Sequence, residues 1–195
     1  MPVSTALSPA VAALRTKFPT GIVRADVSCG DTIVVVQRSC SHELLAWLKT
    51  DPAQSFNYLV DITAVEYRDR ERPLEVVYQL WSLERKAFLR VKIELDKAGP
   101  LAVDSVVDLW KGADWLEREV WDMFGVRFTG HPDLRRILMW ENYAEGHPLR
   151  KDFPLRGRFS RAEQTRRALS NEMEKHYSTE ELSATKAGFG LEGGR

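Results

Sequence analysis

Leu74-Glu75-Val76-Val77-Tyr78-Gln79-Leu80-Trp81-Ser82-Leu83 and Ala87-Phe88-Leu89-Arg90-Val91-Lys92-Ile93-Glu94-Leu95 stand on either side of the short turn Glu84-Arg85-Lys86. The second segment alternates, with Leu89, Val91, Ile93 and Leu95 between Arg90, Lys92 and Glu94. A period of two sends one set of side chains to a core and the other outward, so this stretch reads as two strands joined by a tight turn.

Upstream, Ser8-Pro9 reads as a helix N-cap followed by proline at the first helical position, and Val11, Leu14 and Phe18 recur at helical spacing until Pro19. Residues 22–27 and 32–37 are rich in β-branched side chains and flank the turn signal Cys29-Gly30-Asp31, so they should pair as a hairpin. In residues 41–50, Leu44, Leu45 and Leu48 share a helical face, and Asp51-Pro52 stops the helix. Residues 58–67 carry Leu59, Ile62 and Val65 in a strand-like run, and the charged residues 68–72 before Pro73 make a loop. Helix, hairpin, helix and three strands is not strict alternation. It predicts an α+β two-layer domain with a mixed or antiparallel sheet and helices on one face, ending near residue 107. After residue 108 the character changes: Trp110, Trp115, Trp121 and Trp140 crowd a charge-dense stretch. The expected division is an α+β domain over 1–107, a partner-facing region over 108–155 and an extended or partly helical tail over 156–195.

With 44% hydrophobic and 29% charged residues in 195, the chain has the composition of an ordinary folding domain. Its 28 basic and 28 acidic residues cancel, which leaves no global field to draw it onto nucleic acid. No apolar run approaches the roughly 18 residues of a spanning helix, so contact with a membrane would come through partners. The N-terminus lacks an early basic residue and has Pro9 in its apolar stretch, so it reads as a poor secretory signal and the chain as cytoplasmic. Cys29 and Cys40 are the only cysteines, too few for a four-thiolate cluster or zinc site. His42, His131, His147 and His176 lack metal-ligand spacing. Gly188-Phe189-Gly190-Leu191-Glu192-Gly193 matches a dinucleotide fingerprint formally, but only two residues follow where a helix and a distant acid are needed.

The densest signal is residues 115–126. Asp114 reads as an N-cap with Glu117 completing a capping-box-like pair; Leu116, Val120, Met123 and Phe124 share a face, and Gly125 suits a left-handed C-cap. Glu119 and Asp122 lie one turn apart, which admits a general acid–base pair, while Arg118, Arg135 and Arg136 nearby favour charge pairing. His131 is placed to fix the Asp133 loop. The basic segment 150–167 suits an acidic groove on a neighbouring protein, with Leu169, Met173 and Tyr177 as a thin helical stripe.

The run Glu117-Arg118-Glu119-Val120-Trp121-Asp122-Met123-Phe124-Gly125-Val126-Arg127-Phe128, followed by His131-Pro132-Asp133-Leu134-Arg135-Arg136-Ile137-Leu138, resembles the signature of the 30-kDa subunit of respiratory complex I, known in bacteria as its C subunit. The resemblance extends to residues 56–65, to Leu83-Glu84-Arg85, and to His147-Pro148-Leu149-Arg150-Lys151-Asp152-Phe153-Pro154-Leu155, roughly residues 20–155 in all. The family order Trp-Glu-Gly-His-Pro-Leu is altered between Trp140 and Leu149, which leaves that loop's geometry open. The resemblance implies a peripheral-arm subunit of NADH:quinone oxidoreductase without catalytic, cofactor-binding or metal-binding residues of its own. Flavin and iron–sulfur clusters would reside in partner subunits, and this chain would sit against the large quinone-site subunit and the small cluster-bearing subunit, at the cytoplasmic side of a bacterial inner membrane. The residues it singles out are Glu117, Arg118, Glu119, Trp121, Asp122, Phe124, Gly125, Phe128, His131, Asp133, Leu134, Arg135, Arg136, Asp152, Phe153 and Pro154. They read as an interface or as internal bracing of the loop after the helix. Rival readings are the equivalent subunit of a membrane-bound hydrogenase or other-donor quinone reductase, and a stand-alone carboxylate enzyme built on Glu119 and Asp122.

Overall fold

The computed structural model describes residues 7–96, 98–141, 143–155 and 157–169. Helix α1 (Pro9–Lys17) starts with the Ser8 hydroxyl accepting the Ala10 N–H, as the Ser-Pro pair predicts. Strands β1 (Ile22–Ser28) and β2 (Asp31–Val36) form the expected hairpin. Its two turn residues, Cys29 and Gly30, both have positive φ, the conformation that matches the twist of a two-residue hairpin. A single 3-10 turn (Arg38–Cys40) leads into α2 (Ser41–Thr50), and β3 (Tyr58–Glu66), β4 (Leu74–Ser82) and β5 (Ala87–Leu95) follow.

These strands make one mixed sheet in the order β1-β2-β5-β4-β3, antiparallel except for the parallel β2–β5 pair. The parallel contact arises because β2 is separated from its partner by α2 and the β3–β4 excursion, the crossover a parallel pair requires. Side chains directly opposite in register share a face. Val34, Val36, Leu89, Val91, Ile93, Leu95, Leu74, Val76, Tyr78, Leu80, Ile62 and Ala64 therefore form one apolar surface. Ala10, Val11 and Leu14 of α1 and Leu44, Leu45 and Leu48 of α2 pack into the same cluster, the predicted helix layer.

Past residue 100 the chain adds β6 (Ala102–Asp104), α3 (Ala113–Phe124), β7 (Arg127–Thr129) and α4 (Arg161–Leu169). β6 and β7 pair in parallel as a separate two-stranded sheet, which three-residue strands without periodicity did not announce. α3 packs against β3, and Val103, Val106, Val120, Met123, Phe124 and Phe128 join the cluster around Leu74 and Tyr78, so residues on both sides of position 107 share one core. The expectations for the tail beyond residue 169, the glycine run at 188–193 included, lie outside the described residues.

The other face of the sheet is covered by charge. The rung Arg24–Val35–Lys92–Val77–Thr63 crosses it, with Val35 and Val77 buried beneath the aliphatic stems of their neighbours. On this face Glu75 is wholly buried: its carboxylate accepts from Lys92 at 2.6 Å, Arg70 at 2.7 Å and the Tyr67 hydroxyl at 3.4 Å. Glu94 pairs with Arg24 at 2.6 Å. Alternating charge in β5 thus marks a self-paired surface rather than freely solvated side chains. Glu75→Gln should lower unfolding stability by about 1–3 kcal/mol, read from the urea midpoint, because the buried acceptor loses its charge while its cations remain.

Candidate functional site

α3 is the post on which the signature residues are arranged. It begins at Ala113 after Gly112, and no side chain caps it. The expected capping box is therefore corrected: Asp114 lies inside the first turn, and Glu117 is drawn away from the helix N-terminus by the chain after β6. Glu117 is completely shielded from solvent, accepting the Val106 N–H at 2.7 Å and the Ser105 hydroxyl at 2.7 Å. Burial pushes its carboxyl up to about 7, against the lowering effect of those two bonds and of His131. Ala113, Glu117, Val120 and Phe124 recur at helical spacing, so Glu117 occupies the middle of the core stripe, a position its helical phase marks in the sequence.

One turn on, Arg118 and Asp122 grip the backbone of the loop after β7. Arg118 donates to the carbonyls of Arg135 and Arg136 at 3.2 and 3.0 Å. Asp122, also wholly buried, takes Arg136 on Oδ1 at 2.5 Å, while Oδ2 accepts three consecutive N–H groups from Ile137, Leu138 and Met139 at 3.1, 2.9 and 2.8 Å. Burial raises the Asp122 carboxyl, but the three amides and the guanidinium outweigh it and hold the group below the ordinary range. Arg136 also donates to the Gly146 carbonyl at 3.1 Å and lies 5.6 and 5.2 Å from the ring centres of Trp121 and Tyr143. His131 fixes the same loop, its Nδ1 accepting the Asp133 N–H at 3.0 Å and its Nε2 facing the Asp114 carbonyl at 3.1 Å.

The C-terminal end of α3 is closed by residues distant in sequence. A helix leaves its last four carbonyls unsatisfied. Gly125, at φ +78°, returns its N–H to the Trp121 carbonyl. His147 Nδ1 donates to Asp122 O at 3.0 Å, Leu149 N to Met123 O at 3.0 Å and Arg150 to Phe124 O at 3.3 Å. The His147-Pro148-Leu149-Arg150 segment is thus a strap over this helix end, and Glu66 of β3 anchors it by accepting the Lys151 N–H at 2.6 Å and facing Arg150 at 3.6 Å. No local signal in either segment announced this pairing.

Glu119 and Asp122 are not a catalytic couple: Glu119 is exposed, and Asp122 is buried and fully engaged with the loop. Among the other signature residues, Phe124 and Phe128 are in the core and Leu134 packs against it. Asp133 and Arg135 pair with each other at 2.7 Å in the open. Asp152 and Phe153 line a shallow cavity of about 290 Å³ with His147, Arg150 and Arg158, and Pro154 is exposed. Bracing is what Arg118, Asp122 and Arg136 do. Its outward product is an apolar surface on α3 and its loop, with Trp115 69%, Leu138 62% and Ile137 37% exposed. Among the described residues no group of three or more His, Cys, Asp or Glu side chains could hold a metal ion, and no helix is long and apolar enough to cross a membrane.

Fold and site together define an α+β protein whose buried charges shape a presented loop. The sequence profile of the family described as "Respiratory-chain NADH dehydrogenase, 30 Kd subunit" matches residues 34–159, and the chain belongs to this family. Its relatives include the NADH-quinone oxidoreductase C subunit of Geobacter metallireducens, 44% identical over 76% of this chain and 90% of that one. The C subunit of Methylobacterium radiotolerans is 43% identical over 70% of this chain, and the C 2 subunit of Rhizobium etli 50% identical over 59%. Those two matches span 62% and 60% of the relatives' own lengths. Among solved structures, a trypsin-resistant fragment of Nqo5 matches with TM-score 0.55 and 34% identity, covering 64% of this chain and 96% of that one. A chain of an archaeal membrane-bound sulfane sulfur reductase matches with TM-score 0.55 and 25% identity, over 75% of this chain and 84% of that one.

Proposed function

We propose that the chain is a peripheral-arm subunit of a proton-translocating NADH:quinone oxidoreductase, carrying no cofactor and holding the quinone-site and cluster-bearing subunits in register. Electrons from NADH would cross clusters in those partners to quinone, and this chain would reach the cytoplasmic side of the inner membrane only through them. The observation that supports this most is that Arg118 and the buried Asp122 fix a loop's backbone and leave Trp115, Ile137 and Leu138 outward beside α3. Apolar and aromatic groups on a rigid support suit a permanent protein contact.

The likeness to the sulfane sulfur reductase chain favours a second reading, the same scaffold in a complex with another electron donor. Native-gel separation of membranes from cells carrying a tagged chain, with NADH activity staining and mass spectrometry of the band, distinguishes the two. Co-migration with a flavin-bearing, NADH-active assembly is the expected result. A large assembly without NADH activity would favour the second reading, and a free species near 22 kDa would overturn both. Replacing Leu138 by Asp should deplete the chain from that band about tenfold or more while leaving its thermal unfolding within a few degrees of the parent.

A further inference from the structure

Five carboxylates are buried in the described part of this protein, and three have a cation within 4 Å: Glu66 has Arg150, Glu75 has Lys92 and Arg70, and Asp122 has Arg136, while Glu145 accepts the Arg158 N–H at 2.6 Å. Glu117 has none among the described residues. Its bonds come from one hydroxyl and one backbone N–H. The groups near it are the Tyr78 hydroxyl of β4, Asp108 in the loop after β6 and His131 after β7, with Asp104 of β6 near Tyr78 and Asp114 of α3 against His131. Glu66 of β3 is committed to the strap at the opposite end of α3. His131 accepts the Asp133 N–H on Nδ1 and turns Nε2 to Asp114. Tyr78 is wholly buried, and its hydroxyl has no hydrogen-bond partner.

We propose that Glu117 is a proton-operated latch between α3 and the chain that runs from β6 into α3, closed when its carboxyl is protonated and strained when it is charged. A charged carboxylate here stands in an apolar core with no cation within 4 Å among the described residues, repelled by Asp108 and offset only by the His131 ring, and burying such a charge is unfavourable. Proton uptake by one carboxylate oxygen removes the charge and creates an O–H donor, while the other oxygen keeps the Val106 N–H. The joint it governs is the one that places Ser105 and Val106 over the N-terminal half of α3, next to exposed Trp115. A shift of cytoplasmic pH around neutrality is thereby converted into the tightness of the structure under the presented surface.

The carboxyl's rise to about 7 agrees with this geometry and fixes the sign. The folded chain holds the proton more tightly than the unfolded one, so stability is greatest below the ordinary carboxylate range and falls as pH rises to about 7. Between pH 5 and 8 the folding equilibrium constant should drop by roughly 50- to 100-fold from this group alone. The test is urea unfolding of the full chain and of Glu117→Gln from pH 5 to 8, with amide hydrogen exchange across residues 104–112. Glutamine keeps the acceptor and cannot ionise, so the variant should lose that drop, and its exchange protection at pH 8 should match the parent's at pH 5. Equal pH dependence in the two proteins overturns the latch. Should Glu117→Gln fail to fold, isotope-edited infrared titration of the parent's buried carboxyl decides instead: a protonated carboxyl band persisting above pH 6 supports the proposal, and its absence above pH 5 overturns it. His131→Gln retaining the parent's pH dependence assigns the effect to Glu117, and loss of it there would move the switch to the imidazole and overturn the proposal.

Discussion

Asp122→Ala should lower unfolding stability by about 3–5 kcal/mol, the largest effect of any single polar substitution in the signature region. The substitution removes a carboxylate with four partners at once and strands them. Arg136 keeps only 12% of its side chain exposed and would be left with carbonyl acceptors and two ring faces but no counter-ion. The Ile137, Leu138 and Met139 N–H groups would lose their shared acceptor together. The pH dependence has the opposite sign to that of Glu117. Asp122 is held below the ordinary carboxylate range, so its contribution is complete at neutral pH and disappears as pH falls through that lowered range. The parent and Asp122→Ala should thus converge in stability towards strong acid. Asp133→Ala is the control: it removes an equally charged residue from the same loop, but its pair with Arg135 is more than 60% exposed on both sides, and the change should stay within about 0.5 kcal/mol. Urea titrations at pH 7 and pH 3 separate these outcomes. A small loss at pH 7 for Asp122→Ala would mean that the loop holds its shape without the carboxylate.

What the sequence made legible follows from range. The hairpin at Cys29-Gly30, the alternation in β5, the leucine face of α2 and the glycine end of α3 are local patterns, and each element stands where its pattern put it. The charge pairing of Asp122 was also legible, because Arg136 lies only 14 positions away. Three things were not. The parallel β2–β5 contact joins segments more than fifty residues apart, and nothing in either names its partner. The capping box was misplaced because Ser105 and Val106 compete for Glu117, and a buried hydroxyl and amide prevail over a solvent-exposed helix start. The strap at residues 147–151 satisfies carbonyl oxygens, which every residue has, so no residue type in α3 advertised it.

Gly125→Ala should be nearly as damaging as loss of Asp122, about 2–4 kcal/mol, and for two separable reasons. The residue sits at φ +78°, where an L side chain is strained by about 1–2 kcal/mol. A Cβ built there would also lie 2.6 Å from His147 Cδ2 and 2.7 Å from Nε2, well inside contact distance. The ring cannot simply retreat, since its Nδ1 closes the Asp122 carbonyl and it packs edge-on against Trp121. The strain and the clash predict different rescues. Gly125→Asn relieves the backbone penalty but not the collision, and should recover little. His147→Ala leaves Asp122 O without that donor and should be destabilising by itself, yet in combination with Gly125→Ala the collision vanishes. The double variant should be less impaired than the sum of the singles by about 1 kcal/mol or more, a coupling that a double-mutant cycle in urea measures directly. Strict additivity would mean that the glycine serves the helix end alone and that the strap tolerates displacement. A clear coupling would establish that residues 147–151 and the end of α3 act as one mechanical unit, with the loop held by Asp122 supported from both sides.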